Sequence, residues 1–233
     1  WLKADYSQQE PRLLTHWACL VGQMGAEEVK EAYKKSDLDF HQQTADMAGV
    51  ERRLAKTIGL GVMYGMGYNK MARELDIDPQ DAKKMLKDFR ERVPFMQGML
   101  EAVMNRANSK GIIRTLLGRK CRFDLWEPTQ WGVHKALPHN QAKVEYGEAI
   151  KRAGTYKALN RLIQGSAADQ TKKAMVDVYE ELGVVPLIQV HDELDCSVKD
   201  EKQAKEIQRV METCVELEVP SKADIDLGES WGG

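Results

Sequence analysis

The sequence lacks the cysteine spacing that would indicate a zinc site or a disulfide framework. Its four cysteines, at positions 19, 121, 196 and 214, are scattered and form no CxxC pair. Structural zinc sites usually need closely spaced ligands, and disulfide-rich domains are short secreted chains. We therefore expect neither a zinc site nor disulfides, and a reducing compartment.

Long apolar runs are missing as well. No stretch approaches the roughly 20 residues that a membrane span needs, and none has the pattern of a secretory signal. The composition, 42% hydrophobic and 30% charged, is ordinary for a globular protein. The first residue is Trp1, and WLKADYS has the pattern of a strand already under way. We expect no membrane association, and we expect the chain to be a piece of a longer protein.

The small net charge of −2 conceals a strong asymmetry along the chain. Residues 52–161 carry 22 basic and 11 acidic side chains, whereas residues 1–51 have a net charge of −4 and residues 162–233 one of −9. A basic middle between acidic flanks is typical of a polyanion-binding site.

Two groups of basic residues inside this middle segment differ in character. One group fits the solvated face of a surface helix: Lys83, Lys84 and Lys87. The other crowds a turn bounded by glycine, where simple solvation explains it less well: Arg114, Arg119, Lys120 and Arg122.

The segment RRLAKTIGLGVMYGMG, at residues 52–67, has the strongest functional pattern. On a helix, Arg52, Lys56, Leu60 and Tyr64 recur every fourth residue and share one face. Four glycines flank the far half of this segment, although each costs a helix roughly 1 kcal/mol relative to alanine. An amphipathic core helix explains the apolar positions but not the aligned cations. A nucleotide platform explains both, with cations on a polyphosphate and glycines allowing close approach.

Two aspartates at predicted strand ends could hold metal ions. Asp5 ends the first strand, and Asp192 lies at the polar tip of an apolar hairpin. Two carboxylates from separate strand ends can bind two magnesium ions about 4 Å apart, which clamp the attacking and leaving oxygens of a phosphoryl transfer. Taken singly, each aspartate could equally be a solvated or turn-forming group.

Periodicity predicts the remaining elements. We expect helices over Ala26–Tyr33, Met96–Asn108, Asn160–Tyr179 and Lys202–Leu217, and a loop over Ser36–Phe40. Strand and turn patterns predict a hairpin over Gly111–Phe123, a buried strand over Leu187–Val190 and a closing strand over Lys222–Leu227. Asp78-Pro79 predicts the capped start of a helix that Pro94 ends.

Three motifs, in this order, resemble the signatures of family A DNA polymerases: DYSQQEPR, RRLAKTIGLGVMYG and QVHDEL. DFHQQTA, NRLIQGSAAD and GESW resemble further segments of that family. The resemblance runs nearly from end to end, and only residues 124–155 match poorly, like a phage-type insertion. It implies an α+β fold of a right-hand polymerase without its thumb, with palm at residues 1–14 and 149–233 and helical fingers at residues 15–148.

The resemblance also implies roles for individual residues. Asp5, Asp192 and the Tyr6 carbonyl would ligate two Mg²⁺ ions, with Glu193 supporting the site from behind. Lys56 would also act in catalysis by protonating the leaving pyrophosphate. The implied nucleotide contacts are Glu10, which excludes a 2′-hydroxyl, and His41, Arg52, Lys56, Leu60 and Tyr64. The implied primer–template contacts are Asn160, Gln164 and His191.

The implied activity is template-directed DNA synthesis from deoxynucleoside triphosphates, as the catalytic part of a replicative or repair polymerase of phage type, in a bacterial cell or phage-infected host cytoplasm. A thumb and exonuclease portion would lie upstream or in a companion chain. Two alternatives stay open: a single-subunit RNA polymerase, against which Glu10 and QVHDEL argue, and an inactive nucleic-acid-binding remnant, against which the retained motif residues argue.

Overall fold

A computed structural model describes residues 1–35, 38–130, 132 and 134–231. Two residues of the predicted loop, Ser36 and Asp37, lie outside this range. The helices in the described part are α1 Gln9–Leu20, α2 Ala26–Lys35, α3 Phe40–Ala48, α4 Arg52–Met63, α5 Tyr68–Leu75, α6 Pro79–Arg92, α7 Pro94–Lys110, α8 His139–Tyr146, α9 Ala158–Leu182 and α10 Glu201–Thr213. The strands there are β1 Leu2–Tyr6, β2 Ile112–Arg114, β3 Lys120–Arg122, β4 Leu125–Pro128, β5 Leu137–Pro138, β6 Ile150–Arg152, β7 Ile188–Val190, β8 Glu193–Cys196 and β9 Ala223–Leu227.

The chain divides into two compact units. Unit 1 combines Trp1–Gln43 with Ile163–Gly233, and unit 2 is the intervening Thr44–Leu162. Both units combine helices with antiparallel strands, which confirms the predicted α+β class. None of the helices in the described part of the chain has the length and apolar character needed to cross a bilayer.

Unit 1 is built on a four-stranded antiparallel sheet with the order β7-β8-β1-β9. Alternation along β1 sends Leu2, Ala4 and Tyr6 into the core, where they pack with residues of α9 and α10 such as Val178 and Met211. The intervening side chains of β1 therefore emerge on the opposite face of the sheet. The predicted closing strand is confirmed as β9, at one edge.

Unit 2 packs its helices around a core formed by residues such as Ile58, Val62, Phe95 and Met99. The predicted hairpin at residues 111–123 is confirmed as β2 paired with β3. Asp78 caps α6 as predicted, since its side chain accepts a hydrogen bond from the backbone N–H of Gln80 at 2.7 Å. Residues 124–155 contain a small sheet with the order β5-β4-β6, together with α8.

Three predicted elements were wrong in extent or burial. The helix expected over residues 52–67 ends at Met63, and the helix expected to reach position 217 ends at Thr213. The strand at Leu187–Val190 is not buried, because β7 is the edge strand of its sheet: Leu187 is 55% exposed and Val190 41%. An apolar run cannot by itself distinguish an edge strand from a central one.

Gly111 ends α7 in a left-handed conformation, with φ +67°. A Cβ atom there would lie 2.6 Å from Cζ of Arg152, whose guanidinium group donates hydrogen bonds to the backbone carbonyls of Asn108 and Phe123. Gly183 has almost the same φ, +65°, but nothing lies within 4 Å of its Cβ position. The two glycines therefore differ in packing and not in backbone conformation.

We predict that Gly111→Ala destabilises the protein more than the matched control Gly183→Ala. Both alanines would cost roughly 1–2 kcal/mol for the left-handed conformation. Only the first displaces Arg152 from its backbone partners, which adds about 1.5–3 kcal/mol for hydrogen bonds made by a charged group. Urea unfolding of the two variants measures this difference. Equal losses of unfolding free energy would show that the hydrogen bonds of Arg152 do not add to stability.

His16 generates a prediction about pH. It is buried in α1, and its Nδ1 accepts a hydrogen bond from the backbone N–H of Glu218 at 3.0 Å. Burial lowers the pKa of His16 below its ordinary 6.5, with the Glu218 charge opposing the shift. Below about pH 6.5 the unfolded chain therefore binds a proton that the folded chain resists, so the free energy of unfolding decreases as the pH falls.

We predict that the wild type loses more stability than His16→Asn between about pH 7.5 and about pH 5. Asparagine can accept the same hydrogen bond but does not titrate. The measurement is the difference between urea unfolding free energies at the two pH values for each protein. Parallel losses in the two proteins would show that His16 is not the titrating group.

Candidate active site

Four acidic residues meet at one end of the unit 1 sheet, and we call them the carboxylate cluster: Asp5, Asp192, Glu193 and Asp224. Asp5 lies on β1 directly between Glu193 of β8 and Asp224 of β9 in the strand register. Asp192 belongs to the two-residue turn that joins β7 to β8, and its carbonyl accepts a hydrogen bond from the backbone N–H of Tyr6 at 3.4 Å. The structure thus brings the two predicted metal-binding aspartates together.

The electrostatics of the cluster are those of crowded negative charge. Burial, followed by the charges of Asp192, Glu193 and Asp224, raises the pKa of Asp5 from 3.8 to about 6. Burial also raises the pKa of Asp192, while the neighbouring His191 opposes that shift. Ionisation of Asp5 is therefore costly beside the other carboxylates, and a bound cation would relieve that cost.

The cluster fits magnesium in the chemistry of its donors. Mg²⁺ prefers hard oxygen ligands, and in phosphate-processing sites it is held by one or two carboxylates, with waters and substrate phosphates completing the shell. Among the described residues, no group of three or more His, Cys, Asp or Glu side chains is close enough to hold a metal ion. Asp5 and Asp192, with the Tyr6 carbonyl, are the donor set that could do so.

Tyr6 fixes β1 from the other side of the sheet. Its side chain is buried, and its hydroxyl donates a hydrogen bond to the Met211 carbonyl of α10 at 2.7 Å. A slip of β1 by one residue would exchange Tyr6 and Asp5 between the core and the exposed face. The buried ring therefore holds Asp5 in register with Glu193 and Asp224.

Asp224 was not among the predicted site residues. The sequence predicts β9 as a closing strand, but it does not reveal that β9 is the direct neighbour of β1 or what their register is. The alternation of acidic with small or apolar residues in ADIDL was the available signal. It predicts that Asp224 and Asp226 share one face of the sheet, but not that this face is that of Asp5.

The start of α1 is tied to two other elements of unit 1 by adjacent glutamines. Gln8 has a left-handed backbone, donates a side-chain hydrogen bond to the Leu38 carbonyl and accepts one from the Phe40 N–H. The Gln9 side-chain amide approaches Thr171 Oγ1 of α9 at 3.2 Å. These contacts, which no local pattern in the sequence predicts, fix the helix turn that carries the half-buried Glu10 and the start of the helix that carries His41.

The predicted nucleotide face lies on α4 in unit 2. Arg52, Lys56 and Tyr64 are exposed and Leu60 is half-buried, so the whole face is accessible. Tyr64 is the residue just after the helix, and its N–H still donates to the Leu60 carbonyl at 2.9 Å. The shortened helix therefore keeps the four side chains in the predicted order.

The glycines of α4 have a different role from the predicted one. Gly59 and Gly61 lie on the buried side of the helix. A Cβ at Gly61 would lie 2.9 Å from Cε of Met66, and one at Gly59 would touch Met96. These two glycines therefore allow the protein to pack against itself, and they give no support to close approach of a nucleotide.

Three predicted DNA contacts remain. Asn160 and Gln164 lie four residues apart on α9, the first half-buried and the second exposed. His191 is exposed in the β7–β8 turn beside Asp192, with a left-handed φ of +56°. By unit, the structure groups Asp5, Tyr6, Glu10, His41, Gln164, His191, Asp192 and Glu193 in unit 1, and Arg52, Lys56, Leu60, Tyr64 and Asn160 in unit 2.

Comparison with known proteins gives consistent matches over the whole chain. The model of DNA polymerase family A matches residues 1–233. A DNA-directed DNA polymerase of Pseudomonas phage M6 is 37% identical over 276 residues, which cover 100% of this chain and 38% of the phage protein. The thermostable DNA polymerase I of Thermus aquaticus is 31% identical, over 97% of this chain and 26% of the relative. The chain thus spans well under half the length of these relatives.

One solved structure extends the likeness to three dimensions. The POL domain of Pol1 from M. smegmatis, in complex with DNA primer-template and dNTP, is similar to this chain with a TM-score of 0.76 and 28% sequence identity. The match covers 99% of this chain and 39% of that chain. The similarity therefore includes both units and the elements that carry the predicted site residues.

Proposed function

Because this chain belongs to DNA polymerase family A, we propose that it carries the catalytic part of an enzyme that extends a DNA primer along a template. The substrates are deoxynucleoside triphosphates, and pyrophosphate is released. The observation that supports this most directly is the carboxylate cluster, because Asp5 and Asp192 meet at one sheet end with raised pKa values. Such an arrangement favours a divalent cation.

In this proposal Asp5, Asp192 and the Tyr6 carbonyl hold two Mg²⁺ ions, with Glu193 supporting the site from behind. When bound, the ions would activate the primer 3′-hydroxyl and neutralise charge on the leaving pyrophosphate. The protein contributes the fixed positions of these oxygens, through the register of β1 with β8 and the hydrogen bond between Tyr6 and Asp192.

The remaining predicted residues bind the substrates. His41, Arg52 and Lys56 contact the triphosphate, and Lys56 donates a proton to the leaving pyrophosphate. Leu60 faces the sugar, Tyr64 stacks near the templating position, and Glu10 leaves no room for a 2′-hydroxyl. Contacts to the primer–template near the primer terminus come from Asn160, Gln164 and His191.

The polymerase names for the parts of the chain belong to the same proposal. We assign residues 1–14 and 149–233 to the palm and residues 15–148 to the fingers. A thumb and exonuclease portion of the same or a companion chain would complete the enzyme, which would act in the cytoplasm of a bacterial cell or phage-infected host. The specific role that we propose is DNA replication or repair, by an enzyme of phage origin.

We predict that Asp5→Asn or Asp192→Asn in the complete enzyme lowers primer extension by several orders of magnitude while binding of primer–template DNA persists. Asparagine removes a metal-binding charge but leaves the basic surface that binds phosphates. Asp226→Asn is the matched control, because Asp226 is an exposed aspartate on the same face of the same sheet. Extension near the wild-type rate by either folded variant would refute the metal-site assignment.

We predict that the wild type discriminates against dideoxynucleotides and that Leu60→Tyr largely removes the discrimination. A tyrosine hydroxyl near the sugar can occupy the place of the missing 3′-hydroxyl, whereas leucine has no polar atom to offer. One hydrogen bond at a charged site is worth about 1.5–3 kcal/mol, or roughly ten- to a hundredfold in selectivity.

The control for this prediction is Leu54→Tyr. Leu54 is also half-buried on α4 but lies six residues away, off the face of Leu60. Incorporation ratios for paired deoxy and dideoxy substrates are measured on all three proteins in the full-length context. Unchanged ratios in Leu60→Tyr would mean that Leu60 is a packing residue that points away from the sugar.

A further inference from the structure

The hairpin of β2 and β3 places three cations on one side. In its register Ile112 lies opposite Arg122, and Arg114 lies opposite Lys120. Residues opposite each other in an antiparallel pair point to the same side, and the side alternates along each strand. Arg114, Lys120 and Arg122 therefore emerge together, and we call this side the basic ribbon.

The other side of the hairpin faces the protein. Ile113 is only 2% exposed, and Cys121 beside it is half-buried. The three cations of the basic ribbon are all exposed. The hairpin therefore has one side that packs in unit 2 and one that is available to a ligand.

Nothing in the described part of the chain neutralises the basic ribbon. No ion pair there involves Arg114, Lys120 or Arg122, and the Arg114 guanidinium reaches only the carbonyl of Gly118, at 3.1 Å. Like charges directly opposite each other destabilise a strand pair. The pair Arg114 and Lys120 thus weakens the hairpin unless an anion binds across it.

The hairpin is held firmly at its base. Phe123 donates its N–H to the Gly111 carbonyl at 2.9 Å, and the Arg152 guanidinium donates to the Phe123 carbonyl at 2.8 Å. The guanidinium group of Arg161 lies over the Phe123 ring, 5.0 Å from its centre. Because these contacts hold the hairpin backbone in place, little conformational freedom of the backbone is lost when the cations bind a ligand.

We propose that the basic ribbon binds the phosphate backbone of double-stranded DNA, an inference that rests on the proposed function. Its charge is complementary to the polyanion, and its guanidinium groups suit phosphate. Proteins that bind single strands add exposed aromatic side chains on which bases stack. The ribbon has none, and Phe123 beside it is buried. A duplex, bound through its backbone without base readout, fits better.

Another basic group of unit 2 provides a matched control. Lys83, Lys84 and Lys87 are exposed on α6, but Asp81, Asp88 and Glu91 lie on the same helix. Lys87 pairs with Glu91 at 3.7 Å. This group has the same number of cations as the ribbon, and its charge is partly balanced locally.

The test compares two triple variants of the full chain, Arg114→Gln/Lys120→Gln/Arg122→Gln and Lys83→Gln/Lys84→Gln/Lys87→Gln, with the wild type. Fluorescence anisotropy measures the affinity for a labelled duplex of about 20 base pairs between about 25 and about 200 mM NaCl, where each phosphate contact contributes about −0.9 to the slope of log K against log salt. We expect the ribbon variant to lose about 2 to 3 from the magnitude of this slope and the α6 variant less than about 1.

Equal slopes for the ribbon variant and the wild type, with circular dichroism confirming that both are folded, would overturn the inference. So would a slope change seen with a single-stranded oligonucleotide and not with the duplex. Primer extension by the wild type is measured in parallel. The extension assay uses the complete enzyme that contains this chain. Extension with unchanged slopes refutes only the ribbon inference, whereas a ribbon-dependent slope without any extension by the complete enzyme refutes the proposed function and leaves the ribbon as a DNA-binding surface.

Discussion

The register of β1 between β8 and β9 is the constraint on which the carboxylate cluster depends. Because side chains alternate along a strand, the burial of Tyr6 and Ala4 in the core obliges Asp5 to emerge on the opposite face. The two neighbouring strands then place Glu193 and Asp224 beside it. The hydrophobic core of unit 1 thus determines the position of a charged site on the other side of its sheet, and packing energy holds together carboxylates that repel one another.

That repulsion links stability to function. Burial and the charges of three neighbouring carboxylates raise the pKa of Asp5 from its ordinary 3.8 to about 6. In the proposed function, a divalent cation bound there would offset the free energy lost in crowding the charges, so the arrangement that weakens the fold without metal would favour metal binding. The hydroxyl of Tyr6 donates a hydrogen bond to the Met211 carbonyl and so helps to hold β1 in place against this repulsion.

The sequence predicted caps and hairpins from local signals, and it failed where packing or strand order decides a contact. The Asp78-Pro79 cap and the β2–β3 hairpin follow from turn chemistry. The meeting of Asp5 with Asp192 joins distant parts of the chain, and it was predicted from strand ends and motif order. Asp224 could not be assigned because strand order and register depend on tertiary packing. The role predicted for Gly61 was wrong for another reason: its close neighbour is the nearby Met66, and nothing in the spacing of glycines distinguishes a side chain of the protein from a ligand.

The charge asymmetry of the chain has a physical basis in the proposed chemistry. A polyphosphate is repelled by carboxylates unless metal ions intervene, whereas it binds lysine and arginine directly. The carboxylate cluster and most of the basic residues accordingly occupy different units, with residues 52–161 at +11 and residues 162–233 at −9. If acidic and basic side chains shared one small surface, Lys56 or Arg114 would pair with a carboxylate. Each side chain would then be less able to bind its ligand. A near-neutral chain with separated charges keeps both kinds of site available.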